Sequence, residues 1–346
     1  MSKGPSCRKH GAAAVPQAPL MRIDPVPALL HSGNAAASFF TRRDLLDEQV
    51  GSLTEVWESP AARKLLARQQ ADGSWRPSGR KQEVYPPHHH SLVETFKRFR
   101  ILVQRYRFNR ESAGLARAAE YLLSCQTPGG DIRGMIGNQY ATYYTGLILS
   151  LLIEAGYADD ARVDKGMRWL LSMRQDDGGW TVPLLSRTLD AATIRRITSE
   201  YAEPVEPDRT MPFSHTWTNM VLLAFAAHPV YRDSKEARAA ALLMKAGFFK
   251  PDYYTSYQAP NYWVRFAFWW PNLLTALETL ASLGFSASDD DIAAALAWFV
   301  DHQREDGLWD VAYALGREGK DEPGKPEERL WLTLRICRMF RRYGTL

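Results

Sequence analysis

Three times this chain runs a helical stretch into the same turn: Gln69-Gln-Ala-Asp-Gly-Ser-Trp75, Arg174-Gln-Asp-Asp-Gly-Gly-Trp180 and Gln303-Arg-Glu-Asp-Gly-Leu-Trp309. A fourth copy, Gln126-Thr-Pro-Gly-Gly-Asp131, keeps the Gln and a Gly pair and reads with Asp131 at the Trp position. A repeated turn implies a repeat architecture, because one such unit cannot bury its own apolar face and must stack on its neighbours. Each unit reads as helix, Asp-Gly turn, Trp, loop and second helix. Gly accepts positive φ in a tight reversal and Asp can bond its own backbone. The Trp can pack under the next unit while its N–H finds a carbonyl. The Trp and Gln residues therefore read first as staples between units. The gap from Trp180 to Trp309 leaves room for two units, with Ala246-Gly-Phe-Phe-Lys-Pro-Asp252 as a degraded turn. Helical periodicity places outer helices near 61–70, 111–125, 160–173, 234–245 and 289–302, and inner ones near 91–105, 140–155, 214–227, 269–283 and 327–342. The expectation is an all-α chain of five to six helical hairpins.

Because the repeats span most of the 346 residues, a single domain over 24–346 is expected. A disordered tail over 1–23 precedes it, with Met21 as an alternative start. The stretch 182–213, with Pro183, Pro204, Pro207 and Pro212, reads as an insertion, expected to be a mobile lid or an edge of a site. No apolar run reaches the ~18 residues of a membrane span. The tail lacks the apolar core of a secretory signal, and three cysteines without a CxxC give no disulfide framework. Cytoplasm is the expected location. A net charge of +4 does not by itself point to nucleic acid. The basic run Lys97, Arg98, Arg100, Arg105, Arg107 and Arg110 reads as the solvated face of an amphipathic helix. Its sharper reading is contact with an anionic membrane surface or a diphosphate.

The Q-x-x-D-G-x-W signature resembles the QW motif of squalene–hopene and related terpene cyclases. The stretch from Cys125 through Asp131, with the following NQYATYYTGLIL, is similar to the corresponding turn and inner helix of protein prenyltransferase β subunits. The resemblance covers roughly 61–340. It implies an α/α toroid, an inner ring of helices around a central cavity, and an isoprenoid or other hydrophobic ligand. Fold does not fix reaction, and two departures matter. The DxDD acid motif of the cyclases is absent. Where the zinc prenyltransferases carry an HTCYCL-like stretch, this chain has His215-Thr-Trp-Thr-Asn-Met without the ligand Cys. No metal or cofactor is therefore expected, and adjacent His88, His89 and His90 are poorly spaced to converge on one ion.

In a toroid, the loops after each turn lead to the N-termini of the inner helices, which rim one mouth of the cavity. That reasoning collects His89 and Glu94 from the first unit, and Asp131, Arg133, Tyr140 and Tyr144 from the second. His215 and Trp217 follow from the third, Trp269, Trp270 and Asn272 from the fourth, and Trp331 from the last. Aromatic faces stabilise carbocations, and a buried acid that keeps its proton can start a cyclisation. Asp131 is the expected acid, with His215 orienting it and the others binding substrate. Two alternatives stay open: a non-catalytic binder or scaffold using the same cavity, and a carbohydrate-active toroid. The latter finds few acids at this mouth beyond Glu94, Asp131, Glu200 and Glu203.

Overall fold

Ten helices of the described residues start on a side chain that accepts from their own first turn, seven of them in the repeated hairpins. Ser59, Ser112, Ser214, Ser234 and Asn272 each accept from the backbone N–H three residues on, and Asp160 and Asp289 from the one two residues on. A computed structural model describes residues 21–182, 184, 189–252, 259–267, 270–315, 322 and 324–344. In chain order its α-helices begin with an N-terminal group: α1 (Val26–Leu30), α2 (Ala35–Leu45) and α3 (Leu53–Trp57). Five hairpins follow: α4 (Pro60–Leu66) with α5 (His89–Tyr106), α6 (Ala113–Ser124) with α7 (Thr142–Leu152), and α8 (Ala161–Ser172) with α10 (His215–Ala227). The last two are α11 (Lys235–Lys245) with α12 (Leu273–Ser282), and α13 (Asp290–Asp301) with α14 (Pro326–Arg342). The remaining helix, α9 (Ala191–Ser199), lies in the expected insertion. Among the described residues there are isolated bridges but no strand.

The second helices of the hairpins form an inner ring. Helix α5 packs on α7, α7 on α10, α10 on α12 and α12 on α14. Tyr106 of α5 meets Trp331 of α14 at 5.9 Å between ring centroids and brings the two ends together. The first helices lie outside, and α2 covers α14. The chain is an all-α α/α toroid. Helix α7 shows what an inner position demands: of its eleven residues only Tyr144 escapes full burial. At Gly146 an added Cβ would stand 2.8 Å from the Val221 Cα of α10, so the α7–α10 contact needs glycine. No helix among the described residues is long and apolar enough to cross a membrane.

The staples are as the repeat implies. Trp75, Trp180 and Trp309 are buried, and each indole Nε1 donates to the carbonyl ten residues upstream: Leu65, Leu170 and Phe299 at 2.7–2.8 Å. Each Trp backbone N–H donates to a threonine of the following inner helix, Thr95, Thr218 and Thr333. The degraded turn keeps a version of this bond, with Trp263 Nε1 donating to Lys250.

The turn hydrogen bonds also correct the register of the fourth copy. In every turn the first side chain donates to the carbonyl four residues on: Gln69 to Gly73, Gln126 to Gly130, Arg174 to Gly178 and Gln303 to Gly307. The Trp stands six residues after that donor, and six after Gln126 is Ile132, whose N–H donates to Thr145 as the Trp N–H groups do to their threonines. Asp131 instead matches Ser74, Gly179 and Leu308. It does not replace a staple Trp.

Each glutamine clamp also reaches its neighbour. Gln69 donates to Gly114 and Gln126 to Arg162, both at the start of the next outer helix. Gln303, with no next unit, turns to the N-terminal segment. Its Oε1 accepts from Arg22 and Ile23 at 2.9 and 3.0 Å, and its Nε2 donates to Ile23 at 2.7 Å. Gln303→Ala is expected to cost about 2–3 kcal/mol, several buried bonds at about 1 kcal/mol each. Urea denaturation is the measurement, and Gln70→Ala, on an exposed bond, should stay within about 0.5 kcal/mol. Equal losses for the two variants would show that Gln303 does not close the ring.

Candidate functional site

At the N-terminal ends of the inner helices, most predicted site residues are taken up by local partners. Tyr143 stacks on Trp217 at 4.3 Å, Tyr144 meets Phe96 edge-on, and His215 stacks on Trp263 at 5.2 Å. Tyr140 turns outward onto Trp169 of α8. Its hydroxyl has no hydrogen-bond partner among the described residues, and burial raises its pKa. Asn272 caps α12. His89 Nδ1 bonds Gly134 while His88 and His90 bond other carbonyls, and the His89 and His90 rings meet edge-on at 4.9 Å. Glu94 faces Lys97 and Arg98. Trp269 lies outside the described residues.

Asp131 is buried, but its carboxylate is fully engaged. Arg133 Nε donates to one oxygen at 2.8 Å, and Thr127 donates to the other. His215 has a different acid beside it, Asp252, 3.8 Å from its Nε2. That carboxylate accepts from Ser214 Oγ and Thr216 N–H at the start of α10. Burial holds the His215 pKa below its ordinary value, partly opposed by Asp252. The expected acid and its orienting histidine thus sit in two separate networks.

The insertion also departs from expectation. Gln139 donates to the Glu203 carbonyl and accepts from the Val205 N–H, and Gln175 donates to Asp208 and Met211. These bonds lay the segment over the turns at 134–141 and 174–180. None of its described residues borders the central cavity.

That cavity, of about 770 Å³, lies elsewhere in the ring. It is bordered by the C-terminal ends of α5, α10 and α12, by the segment before α12 and by most of α14. Of the described residues expected at the site, only Trp270 and Trp331 reach it, joined by Tyr262 and Phe266. Along α14, Trp331, Arg335, Arg338 and Arg342 recur at helical spacing and share one face. At 1.5 Å per residue this stripe passes from aromatic to basic over about 16 Å. Six arginines and four glutamates border the cavity, an excess of positive charge that an anionic group would complete.

Its electrostatics are set by enclosure. Glu278 takes Arg335 Nε at 2.8 Å. Burial works against the Arg335 charge, but that carboxylate more than offsets it, and the Arg335 pKa is raised. Burial pushes Arg338 down to about 10, opposed by its ion pair with Asp44. Arg100, buried behind this wall, is pushed down to about 9 by the same cause. Glu154 follows α7 in a short π-helix, Ile153–Tyr157, a local widening often found at functional sites. Burial raises its pKa, and Arg107, 3.9 Å away, only partly opposes the shift. Glu154 therefore ionises less readily than an ordinary glutamate.

Sequence reasoning passed over Glu154, Glu278 and the α14 arginines, yet each left a mark. Glu154 ends the run TYYTGLILSLLIEAGY, and Glu278 interrupts LLTALETLAS. A lone acid on an otherwise apolar inner helix is costly unless it faces a partner or a cavity.

No protein-family model matches the chain. Among solved structures it is similar to a protein from Actinoplanes, at 19% identity and a TM-score of 0.33, over 85% of this chain and 100% of that one. It is also similar to the type II terpene cyclase MstE from Scytonema without ligand, at 16% identity and a TM-score of 0.33, over 85% and 99%. A variant of that enzyme in complex with geranylgeranyl dihydroxybenzoate matches at 16% and 0.35, over 85% and 98%. At these values the likeness is coarse and transfers no residue role.

The raised Glu154 pKa has a consequence for stability. A carboxyl whose folded pKa exceeds its unfolded value contributes stability below about 4.5, the ordinary glutamate value, and loses it as pH rises through the folded value. Glu154→Gln is neutral throughout and lacks that loss. The Tm of the variant minus that of the wild type should therefore grow as pH rises from about 4.5 through the folded value. A pH-independent difference would show that Glu154 titrates normally.

Proposed function

We propose that this chain is a terpene-cyclase-like toroid that takes an isoprenoid, or a similar apolar chain with an acidic head, into its central cavity. The observation that carries this reading is the α14 stripe, which runs from Trp331 to Arg335, Arg338 and Arg342 along one wall. An apolar chain favours the aromatic portion, where Tyr262, Phe266 and Trp270 add their faces, and a carboxylate or diphosphate favours the arginines. The cavity volume falls within the range usual for small-molecule sites.

The reaction proposed is acid-initiated cyclisation or isomerisation. It needs a carboxyl that stays protonated near neutral pH and faces the substrate. Glu154 is the candidate, because it borders the cavity and its pKa is raised, whereas both oxygens of Asp131 are engaged by Arg133 and Thr127 away from the cavity. A glycoside-cleaving reading has less support, because it needs two carboxyl groups at work and Arg335 occupies Glu278.

The test is incubation of wild type, Glu154→Gln, Asp131→Asn and Arg342→Gln with farnesyl diphosphate, geranylgeranyl diphosphate and squalene, with and without magnesium. Products are read by gas chromatography and mass spectrometry, and affinities by calorimetry. Arg342→Gln should weaken the diphosphates about fivefold, corresponding to one partly enclosed charge contact. Glu154→Gln should abolish any product while binding survives, and Asp131→Asn should keep it. Tight binding without product in the wild type would support the non-catalytic alternative, and no binding of any isoprenoid would end the reading.

A further inference from the structure

The basic run centred on α5 is not one solvated face. Arg100 is buried and bonds Gln104, and Arg110 reaches the Gly156 carbonyl and Asp159. Arg105 lies over the Trp331 ring, 5.9 Å from its centroid, where Glu327 and Glu328 favour its charge. Arg107 borders the cavity and stands 3.9 Å from Glu154. That contact is loose, and it joins side chains that keep 34% and 29% of their surface open. The other charges that reach Glu154 are Arg335 and Arg342 from α14 and Glu278 from α12. Arg335 is held by Glu278, Arg338 by Asp44, and Arg342 donates to the neutral Ser282 hydroxyl at 3.2 Å. Helix α10 presents Leu223, Ala226 and Ala227 to the same space, and His228 at its end turns to the Val230 and Tyr231 N–H groups.

An anion that enters at Arg107 and Arg342 competes with the Glu154 carboxylate for those two guanidinium groups. It also sets a second negative charge beside the first, where enclosure weakens screening by solvent and salt. Two like charges sharing such a site do not both ionise readily, and one of them takes a proton. Glu154 can do so: it is open enough to exchange protons, and burial already favours its neutral form. We propose, on the reading of the cavity as a site for an apolar chain with an acidic head, that it takes up one proton with each such anion and that Glu154 holds it. Solvent supplies the proton, the carboxylate accepts it, and the anion takes the guanidinium groups that the carboxylate releases. In the complex Glu154 is then neutral, the form that proton donation to the chain requires. Linkage is reciprocal, so a ligand that raises the proton affinity of Glu154 must bind more weakly as pH rises. Below the Glu154 value of the free protein the affinity is flat. Between that value and the higher one of the complex it falls by up to about tenfold per pH unit, and above both it is flat again.

The probe is octyl sulfate, an apolar chain whose head stays fully ionised and so takes up no proton itself. It is titrated calorimetrically into wild type, Glu154→Gln and Arg342→Gln, with circular dichroism to check each fold. Buffers of different ionisation enthalpy count the protons, at pH values from the ordinary glutamate value of 4.5 upward. Wild type is expected to bind with uptake of up to about one proton, and its affinity should fall by up to about tenfold per pH unit. Glu154→Gln should bind with no uptake and no pH dependence, and Arg342→Gln should weaken binding about fivefold. Wild-type binding without uptake at any pH, or uptake that persists in Glu154→Gln, overturns the proposal and leaves the cavity reading standing. Binding that Arg342→Gln leaves unchanged puts the anion elsewhere and overturns the proposal as well. If octyl sulfate binds none of the three proteins at any pH, the cavity reading falls and the proton coupling falls with it.

Discussion

The ring depends on one hydrogen-bonded turn, made four times. A side-chain N–H donates to the carbonyl four residues on, and in three of the four copies the same glutamine also reaches a neighbouring element. One amide thus donates to two backbone carbonyls, one in its own turn and one on a neighbouring element, and fixes the spacing between adjacent hairpins. In the third copy Arg174 takes the inner bond, and Gln175, one residue later, reaches into the insertion. The indole below adds a bond to the helix it follows and fills the space between units. Because the last glutamine holds the segment at Arg22 and Ile23, ring closure comes from the same device as ring growth.

This stapling explains why the cavity is not where the aromatic count suggested. Each turn delivers its Trp, and the loop after it delivers Tyr, His and Trp, to the N-terminal ends of the inner helices. Those rings find one another, as Tyr143 with Trp217 and His215 with Trp263 show, and stacked aromatic surface is more stable buried than lining an empty chamber. The volume left over lies toward the C-terminal ends of α5, α10 and α12, where the helix dipoles favour cations. Arginines collected there are partly explained by that field. Their number beyond it, with Glu278 spent on Arg335, is what points to an anionic ligand.

Much of the fold was legible in the sequence. The turn signature, the spacing of its copies and the capping Ser, Asn and Asp residues located the hairpins, because each depends on contacts within one unit. Asp131 was misread for a related reason. In the fourth copy the residue pairing with Gln126 is Gly130, and Pro128-Gly129-Gly130 offers two glycines for one position. Only the hydrogen bonds of Ile132 and Gln126 decide the register. The site was less legible. Which end of a ring stays open depends on how side chains from five hairpins fill it, a non-local property that no single unit encodes. The signals that did exist were exceptions to pattern, Glu154 and Glu278 on otherwise apolar helices.

Gathering Glu154, Glu278, Arg335 and Arg338 around one cavity partly desolvates charges that a fold lined with leucine would not carry. A buried ion pair often gives no more stability than apolar residues of similar volume, and its desolvation can exceed the attraction recovered. The Glu278–Arg335 pair is well formed and could be neutral in that balance. Glu154 is not: its nearest cation, Arg107, is 3.9 Å away and fails to hold its pKa down. Stability therefore gives no reason for an acid at that point of the ring. A carboxyl with a raised pKa, in a short π-helix at the border of a cavity, is on those grounds a candidate functional group.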